Sequence, residues 1–546
     1  MKRLIALIIA LCLILSGCGL LPQNPPQTGG TGDSDNSDNG SGSGDQGDTG
    51  DGGADGGGSG DQGGSDNAEC TNGHSDEGDD GRCDNCGISL YVRLDFYVIN
   101  DLHGKLVDSE TQPGVDELTT YLKQMTAKDE HSVLFSSGDM WQGSSESNLT
   151  YGLMVTDWMN HLDFEAMTLG NHEFDWGEEY IEANAEAAEF PMLAINIYDR
   201  TTGKPVEYCA PSVLIERGGL QIGIIGAIGD CYSSISSDKV EDVYFKVGDE
   251  LTALVKAEAT RLRQLGADYI VYSLHDGYGS SSSSEKAIYD RQLSSYYDPQ
   301  LSDGYVDLVF EGHTHQRYVM YDSHRVYHLQ NGGENKGICH VEVDVNSVTG
   351  TSFMREKEFV SSYVYEKMDS DSIIDELSEK YADEIAKANR VVGYNSSYRS
   401  GDYLRQLVAD LYYKVGAERW GEDYDIALGG GYLSVRNPYD LAMGEVKYST
   451  LHSIFPFDNE LVLCSVSGRN LKNRFFETSN SDYFISYGEY GKEIKDNIDP
   501  YATYYIIVDT YSSQYAPNGL TVIESYGSGI FARDLLADYI EAGGLR

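Results

Sequence analysis

The chain is poor in positive charge. Its 546 residues carry 39 Lys and Arg against 88 Asp and Glu, a formal net charge of −49. Such a surface has no basic footprint for a phosphate backbone, so no nucleic-acid duplex partner is expected. Cysteine is scarce as well: nine in all are too few and too scattered for a disulfide scaffold in a chain this long. Beyond the first residues there is no long apolar run, which excludes a polytopic membrane protein. What is present suffices for globular cores, since 40% of the residues are hydrophobic. At ~150 residues per unit the length suggests roughly three or four units.

The single apolar run lies between the basic Met1-Lys2-Arg3 and Leu15-Ser16-Gly17-Cys18. It is shorter than the ~18 residues of a spanning helix and has the build of a signal peptide. Its end resembles a bacterial lipobox, which implies a lipoprotein signal peptide over 1–18 and lipidation at Cys18. The resemblance also implies an extracytoplasmic chain anchored by lipid to the bacterial cell membrane. Residues 19–69 are mostly Gly, Ser, Asp and Asn, and residues 19–90 carry 15 acidic side chains against one basic, Arg82. That composition cannot bury enough apolar surface to offset chain entropy, so a disordered acidic linker is expected.

Residues 70–87 contain Cys70, His74, Cys83 and Cys86. Three Cys and one His at this spacing match the ligand set of a tetrahedral structural zinc site. A disulfide from Cys70 to either of the other two cysteines is the alternative.

From Tyr91 onward, five short apolar runs each stop at polar residues. Leu94–Asn100 leads into Asp101 and His103, Ser132–Ser137 into Asp139, and Phe164–Leu169 into Asn171, His172 and Asp175. Tyr269–Leu274 leads into His275, and Val306–Phe310 into His313 and His315. Runs of this length and composition read as buried strands. Helix-patterned stretches between them, such as Pro113–Lys128 and Val247–Leu265, imply a layered α/β sheet with ligands gathered beyond the strand ends. Asp and His with one Asn carbonyl suit two divalent ions such as Zn, Mn or Fe, and one Asp can bridge the pair.

Asp-x-His, Gly-Asp-x-x-Gln-Gly, Gly-Asn-His-Glu-Phe-Asp, the later His and Gly-His-Thr-His together resemble the calcineurin-like metallophosphoesterases, and more narrowly the secreted 5′-nucleotidase branch. The resemblance implies a metallophosphoesterase β-sandwich flanked by helices over 91–360. It implies that Asp101, His103, Asp139 and His315 hold one metal, and that Asp139, Asn171, His275 and His313 hold the other. His172, oriented by Asp175, would be the catalytic non-ligand. His131, His161, His324, His328 and His340 match no motif and read as structural, and Cys209, Cys231, Cys339 and Cys464 as buried thiols or at most one disulfide.

Residues 361–390 contain a helical stripe of Ile373, Ile374, Leu377, Tyr381 and Ile385, similar to the family's connecting helix. Residues 391–546 resemble its α+β C-terminal nucleotide-specificity domain. There Phe457 would stack on a nucleobase and Asn459 contact it, with Arg436 and Tyr515, or Tyr511 in its place, completing the pocket. Leu428 stands where the family has Asn, Arg436 follows an insertion after Gly431, and the C-terminal aromatic motif reads Gln514–Leu520. Arg399 and Arg405 are further phosphate or ribose candidates.

The expected function is hydrolysis of nucleoside monophosphates to nucleoside and phosphate. Cyclic-nucleotide phosphodiesterase or nucleotide-sugar pyrophosphohydrolase activity on the same metal site is one alternative. A non-catalytic surface binding protein on the same scaffold is another.

Overall fold

The first strand shows how the core divides. Along it, Leu94, Phe96 and Val98 face one cluster of buried side chains while Tyr97 and Ile99 face another. Such period-two burial on both faces marks a strand covered from two sides. The computed structural model describes residues 70–546 except 71–72, 79, 109–112, 278–297, 323, 434–439, 515–518 and 528–529. The leader, Cys18 and the acidic linker lie outside the described residues.

In chain order the strands of the first region are β1 (Tyr91–Ile99), β2 (Ser132–Ser136), β3 (Ala166–Thr168), β4 (Met192–Leu193), β5 (Ile197–Asp199), β6 (Ser212–Arg217) and β7 (Leu220–Ile228). They continue as β8 (Val243–Phe245), β9 (Tyr269–His275), β10 (Leu308–Glu311), β11 (Tyr318–Tyr321), β12 (Tyr327–Gln330), β13 (Gly337–Asn346) and β14 (Ser352–Ser361). Two six-stranded sheets result, ordered β14-β13-β1-β2-β3-β4 and β11-β12-β10-β9-β7-β6. Strands β1 to β4 run parallel in the first, as do β7, β9, β10 and β12 in the second. Antiparallel strands complete the edges.

The sheets pack face to face through Phe96, Phe135 and Phe310, whose rings meet at 5.4–6.3 Å. Full burial of each such side chain is worth roughly 1.5–3 kcal/mol. Helices Asp116–Lys128 and Leu153–His161 cover the outer face of the first sheet with Leu118, Leu122, Met154 and Trp158. Helix Asp249–Gln264 covers the second with Leu251, Val255, Ala259 and Leu262. The architecture is a helix-flanked β-sandwich.

The stripe after β14 forms two helices rather than one, Ile373–Lys380 and Ala382–Ala388. Tyr381 interrupts them, its hydroxyl donating to Asp157 at 2.6 Å. Ile373, Ile374 and Leu377 are buried against the first region's core. Beyond them come β15 (Val391–Asn395), β16 (Ile426–Tyr432), β17 (Gly444–Lys447), β18 (Leu461–Ser467), β19 (Tyr483–Ser486), β20 (Thr503–Asp509) and β21 (Leu520–Ser525). Five of these form a sheet ordered β19-β16-β20-β18-β21. Helix Gly401–Trp420, N-capped by Ser400, lies so close to β16 that a Cβ at Gly429 would strike the Tyr413 backbone. Leu428 is fully buried beside it, so the residue replacing the family's Asn is part of a core.

Candidate active site

Each of the five expected strands forms, and each ends at its polar motif. Because β1, β2 and β3 are neighbours in one sheet and β9 and β10 in the other, their carboxyl ends share a rim. The turns at that rim are unusual. Asp101, His103, Asp139, His313 and His315 all have φ between +52° and +71°, a left-handed conformation that non-glycine residues seldom adopt. Gly138, with φ +94°, has no room for a side chain, since a Cβ would lie 2.5 Å from His275 Nδ1.

The side chains converge. His103 Nε2 lies 2.9 Å from His315 Nε2, and His315 Nε2 lies 3.4 Å from Asp101 Oδ1. His275 Nε2 lies 3.1 Å from Asp139 Oδ2, and His313 Nδ1 lies 2.9 Å from Asn171 Oδ1. Donor atoms of Asp101, His103 and His315 cluster within 4.8 Å of one another, as do those of Asp101, Asp139 and His275. Asp101, His103, Asp139 and His275 are completely or almost completely buried.

The second layer fixes which nitrogens face inward. His103 Nδ1 is 2.8 Å from the Gln142 carbonyl and His275 Nδ1 is 2.7 Å from the Ser137 carbonyl. A carbonyl only accepts, so both Nδ1 atoms carry the proton and both Nε2 lone pairs point into the rim. Lone pairs and buried carboxylates crowded together need a cation between them. The donor set fits two divalent ions.

Burial works against the Asp139 carboxylate, but the imidazoles of His275 and His172 outweigh it and hold the acid well below its usual range. With no cation between them, Asp139 instead draws a proton onto His275 Nε2: burial disfavours that charge, yet the carboxylate raises the His275 pKa to about 10. His313 is lowered to about 4, by burial and then by His275. These opposed shifts are the electrostatic signature of a site built around charge.

His172 Nδ1 is 2.8 Å from Asp175 Oδ2, and the His172 backbone N–H donates to Asp139 Oδ1 at 2.9 Å. Glu173 was not singled out by the sequence. Its fully buried carboxylate accepts backbone N–H bonds from Asp139, Met140, Trp141 and Gly170, and burial pushes its pKa up to about 7. It therefore ties the turn after β2 to the turn after β3. The preceding Asn-His carries a chemical signature in the sequence, while a Glu bonded only to backbone leaves no spacing signal.

Beside the rim lies a cavity of about 200 Å³, lined by Asn171, His172, Asp175 and His313 and by Phe457, Asp458, Asn459 and Tyr511. Ser234, Ser236, Lys239 and Thr510 complete it, and none of these four was anticipated. Gln142 and Asn148 side-chain amides donate to the Pro456 carbonyl at 3.3 and 2.9 Å, bracing the Phe457 segment against the rim. Arg533 bonds the Phe457 carbonyl and pairs with Asp458. Arg436 and Tyr515 lie outside the described residues. Arg399 and Arg405 do not line the cavity: Arg405 pairs with Asp402 and Asp482 over the Phe484 ring, and Arg399 lies over Tyr403.

Cys70, His74, Cys83 and Cys86 also come together, with the Cys70 and Cys83 sulfurs 3.7 Å apart, well beyond a disulfide bond. The unmatched histidines sit away from the rim, bonded to the Arg93 carbonyl (His131), Lys123 (His161), Asp303 (His324), Glu311 (His328) and Asp95 (His340). Cys339 and Cys464 are buried thiols. Cys231 is closer to the chemistry than its sequence context indicated: its thiol donates to the His275 carbonyl at 2.9 Å and groups with His275 and His313.

The fold and rim define a class. Residues 94–317 match the calcineurin-like phosphoesterase family, and the chain carries that domain, whose class comprises metal-dependent phosphoester hydrolases. Within that class its relatives include 5′-nucleotidases. It is 29% identical over 228 residues to a 5′-nucleotidase of Vibrio cholerae, covering 40% of each chain. It is 26% identical over 493 residues to the endonuclease YhcR of Bacillus subtilis, covering 79% of this chain and 38% of that protein. The chain thus spans about two fifths of these relatives' length. The fold is similar to that of a 5′-nucleotidase precursor from Thermus thermophilus, with a TM-score of 0.62 at 18% identity, covering 83% of this chain and 97% of that one.

Proposed function

We propose that the protein is an extracytoplasmic two-metal phosphohydrolase of the 5′-nucleotidase type, releasing phosphate from nucleoside monophosphates. One observation carries the reading. The rim of inward-facing Asp, His and Asn donors adjoins a cavity that is also lined by an aromatic ring, Phe457.

Asp101, His103, Asp139 and His315 would hold one ion, and Asp139, Asn171, His275 and His313 the other, with Zn, Mn or Fe suited to the donors. When bound, such a pair supplies Lewis acidity to a phosphoryl group and lowers the pKa of water. The chain's own residues do the rest. His172, held through Nδ1 by Asp175, donates a proton from its other ring nitrogen to a phosphoryl or leaving-group oxygen as charge builds there. Phe457 supplies a flat face for a base, an interaction worth roughly 1–3 kcal/mol that tolerates several bases. Asn459 adds a polar contact at the edge, and Tyr511, which lines the cavity, is a second aromatic candidate. Lys239 brings positive charge to a strongly acidic chain's cavity.

The test is phosphate release by metal-stripped protein after Mn or Zn is restored, with AMP, 2′,3′-cyclic AMP, UDP-glucose and an aryl phosphate compared. AMP preferred, with metal dependence, is the expected result. Preference for the cyclic or sugar nucleotide moves the assignment to those phosphodiester alternatives. Turnover of the aryl phosphate alone removes the nucleotide assignment, and no turnover with any metal leaves a binding scaffold.

The placement rests on the leader ending at Cys18. Labelling with a fatty-acid precursor, abolished by Cys18→Ala, supports the lipid anchor; label unaffected by that change removes it.

A further inference from the structure

The segment before β1 has almost nothing hydrophobic to hold it. Among its described residues from 73 to 90, the buried side chains are Asp76, Cys83 and Leu90. A segment this small cannot fold on apolar burial and needs a staple. The four groups at its centre are disposed as one. Cys70 Sγ lies 3.7 Å from Cys83 Sγ, and Cys86 Sγ lies 3.8 Å from His74 Nδ1. Ligand atoms of all four residues fall within 4.8 Å of one another. Two sulfurs bound to one tetrahedral zinc at ~2.3 Å would stand about 3.8 Å apart, whereas a disulfide would bring them to about 2 Å.

The surrounding backbone is arranged for thiolates. Gly87, with φ +74°, closes a tight turn in which its N–H donates to the Cys83 carbonyl at 2.7 Å. Backbone N–H groups of Ser75 and Asn85 face the Cys83 sulfur. Beneath the cluster, Asp76 accepts from the Asp80 and Gly81 N–H groups at 2.9 and 3.0 Å and from Asn346 Nδ2 at 2.6 Å. Asn346 ends β13, so the loop is tied to the first sheet next to the start of β1.

We propose that Cys70, His74, Cys83 and Cys86 bind one structural zinc ion, separate from the Asp/His rim, that clamps the segment entering β1 onto the edge of the sandwich. Binding releases the thiol protons to solvent and forms four ligand bonds without redox change. The site is independent of the proposed activity.

The test is mercurial displacement of thiolate-bound zinc from the purified full chain, read with a zinc-sensitive dye. About one zinc per chain is expected from the wild type, and none above background from Cys83→Ser/Cys86→Ser. His74→Cys, which keeps four ligands, should retain it. Metal-dependent turnover of an aryl phosphate should remain comparable in the double variant, separating loss of zinc from loss of fold. Wild-type protein that releases no zinc overturns the proposal. So does equal release from the double variant, or non-reducing peptide mapping that finds Cys70 joined to Cys83 or Cys86. None of these readings depends on which phosphoester is the substrate.

Discussion

The rings of His172 and Phe457 lie nearly parallel, 26° apart in plane and 5.8 Å between centroids. One ring belongs to the metal-ligand rim, and the other is carried on the loop before β18. The aromatic wall therefore begins one ring's breadth from the group proposed to handle the proton. A phosphoester bound at the rim would have its organic part directed along Phe457.

Replacing His172 with Ala should lower turnover by ~10²-fold or more, because a positioned acid or charge stabiliser contributes on that scale. Metal content should stay near that of the wild type, since His172 is not placed among the ligands. Single-turnover phosphate release alongside metal analysis checks both, and unchanged turnover removes His172 from the mechanism.

Phe457→Ala should raise KM for AMP by ~10-fold, the effect of losing about 1.4 kcal/mol of stacking, while KM for a small aryl phosphate moves little. Equal effects on the two substrates would make the ring packing rather than a base contact.

Glu173→Gln leaves the shape of the carboxylate but halves its accepting capacity, beneath the turns that carry Asp139 and Asn171. An outer-layer group of this kind costs ~10–100-fold in metal affinity when lost. Activity titrated against added Mn should shift by that factor and recover at saturating metal; a fall in kcat that metal does not rescue would place Glu173 nearer the chemistry.

The Asp95–His340 pair gives a pH prediction remote from the rim. His340 Nε2 is 3.0 Å from Asp95 Oδ1, with Tyr97 stacked on the imidazole at 4.5 Å. Burial disfavours charge on both, yet their hydrogen bond, with Glu358 also beside His340, raises the His340 pKa and lowers that of Asp95. The raised His contributes stability that is full below its ordinary pKa of 6.5 and lost as pH rises through the folded value. The lowered Asp contributes above its ordinary 3.8 and loses it as pH falls. His340→Gln should therefore cost about 1–2 kcal/mol between roughly pH 4 and 6.5 and less at pH 8.5. Thermal melts of both proteins at pH 5.5 and 8.5 check this, and an equal deficit at both would assign the loss to packing.

Much of the rim was legible because its information is local. A short apolar run followed at once by Asp, His or Asn states both that a strand is buried and that its end carries chemistry. Five such runs leave few other meanings. The Cys70 to Cys86 spacing was readable for the same reason, although thiols and a disulfide share that spacing and only the positions of the sulfurs separate them. The stripe from Ile373 to Ile385 was visible too, but its break was not, because Tyr381 leaves the helix for a partner at Asp157.

Sequence alone determined which residue types stand at the strand ends, the helix-and-strand alternation that brings those ends to one side, and the acidic, cysteine-poor character of the chain. Tertiary structure decided the rest. It set which ring nitrogens face inward, through carbonyls of Ser137 and Gln142 far away in the chain. It placed Glu173 under two turns, Cys231 beside His275, and Lys239 and Tyr511 in the same cavity as His172. It also turned Arg399 and Arg405 away. The physical reason is that hydrogen-bond direction and close packing depend on groups brought together by the fold, whereas ligand type and burial period are written in the residues themselves.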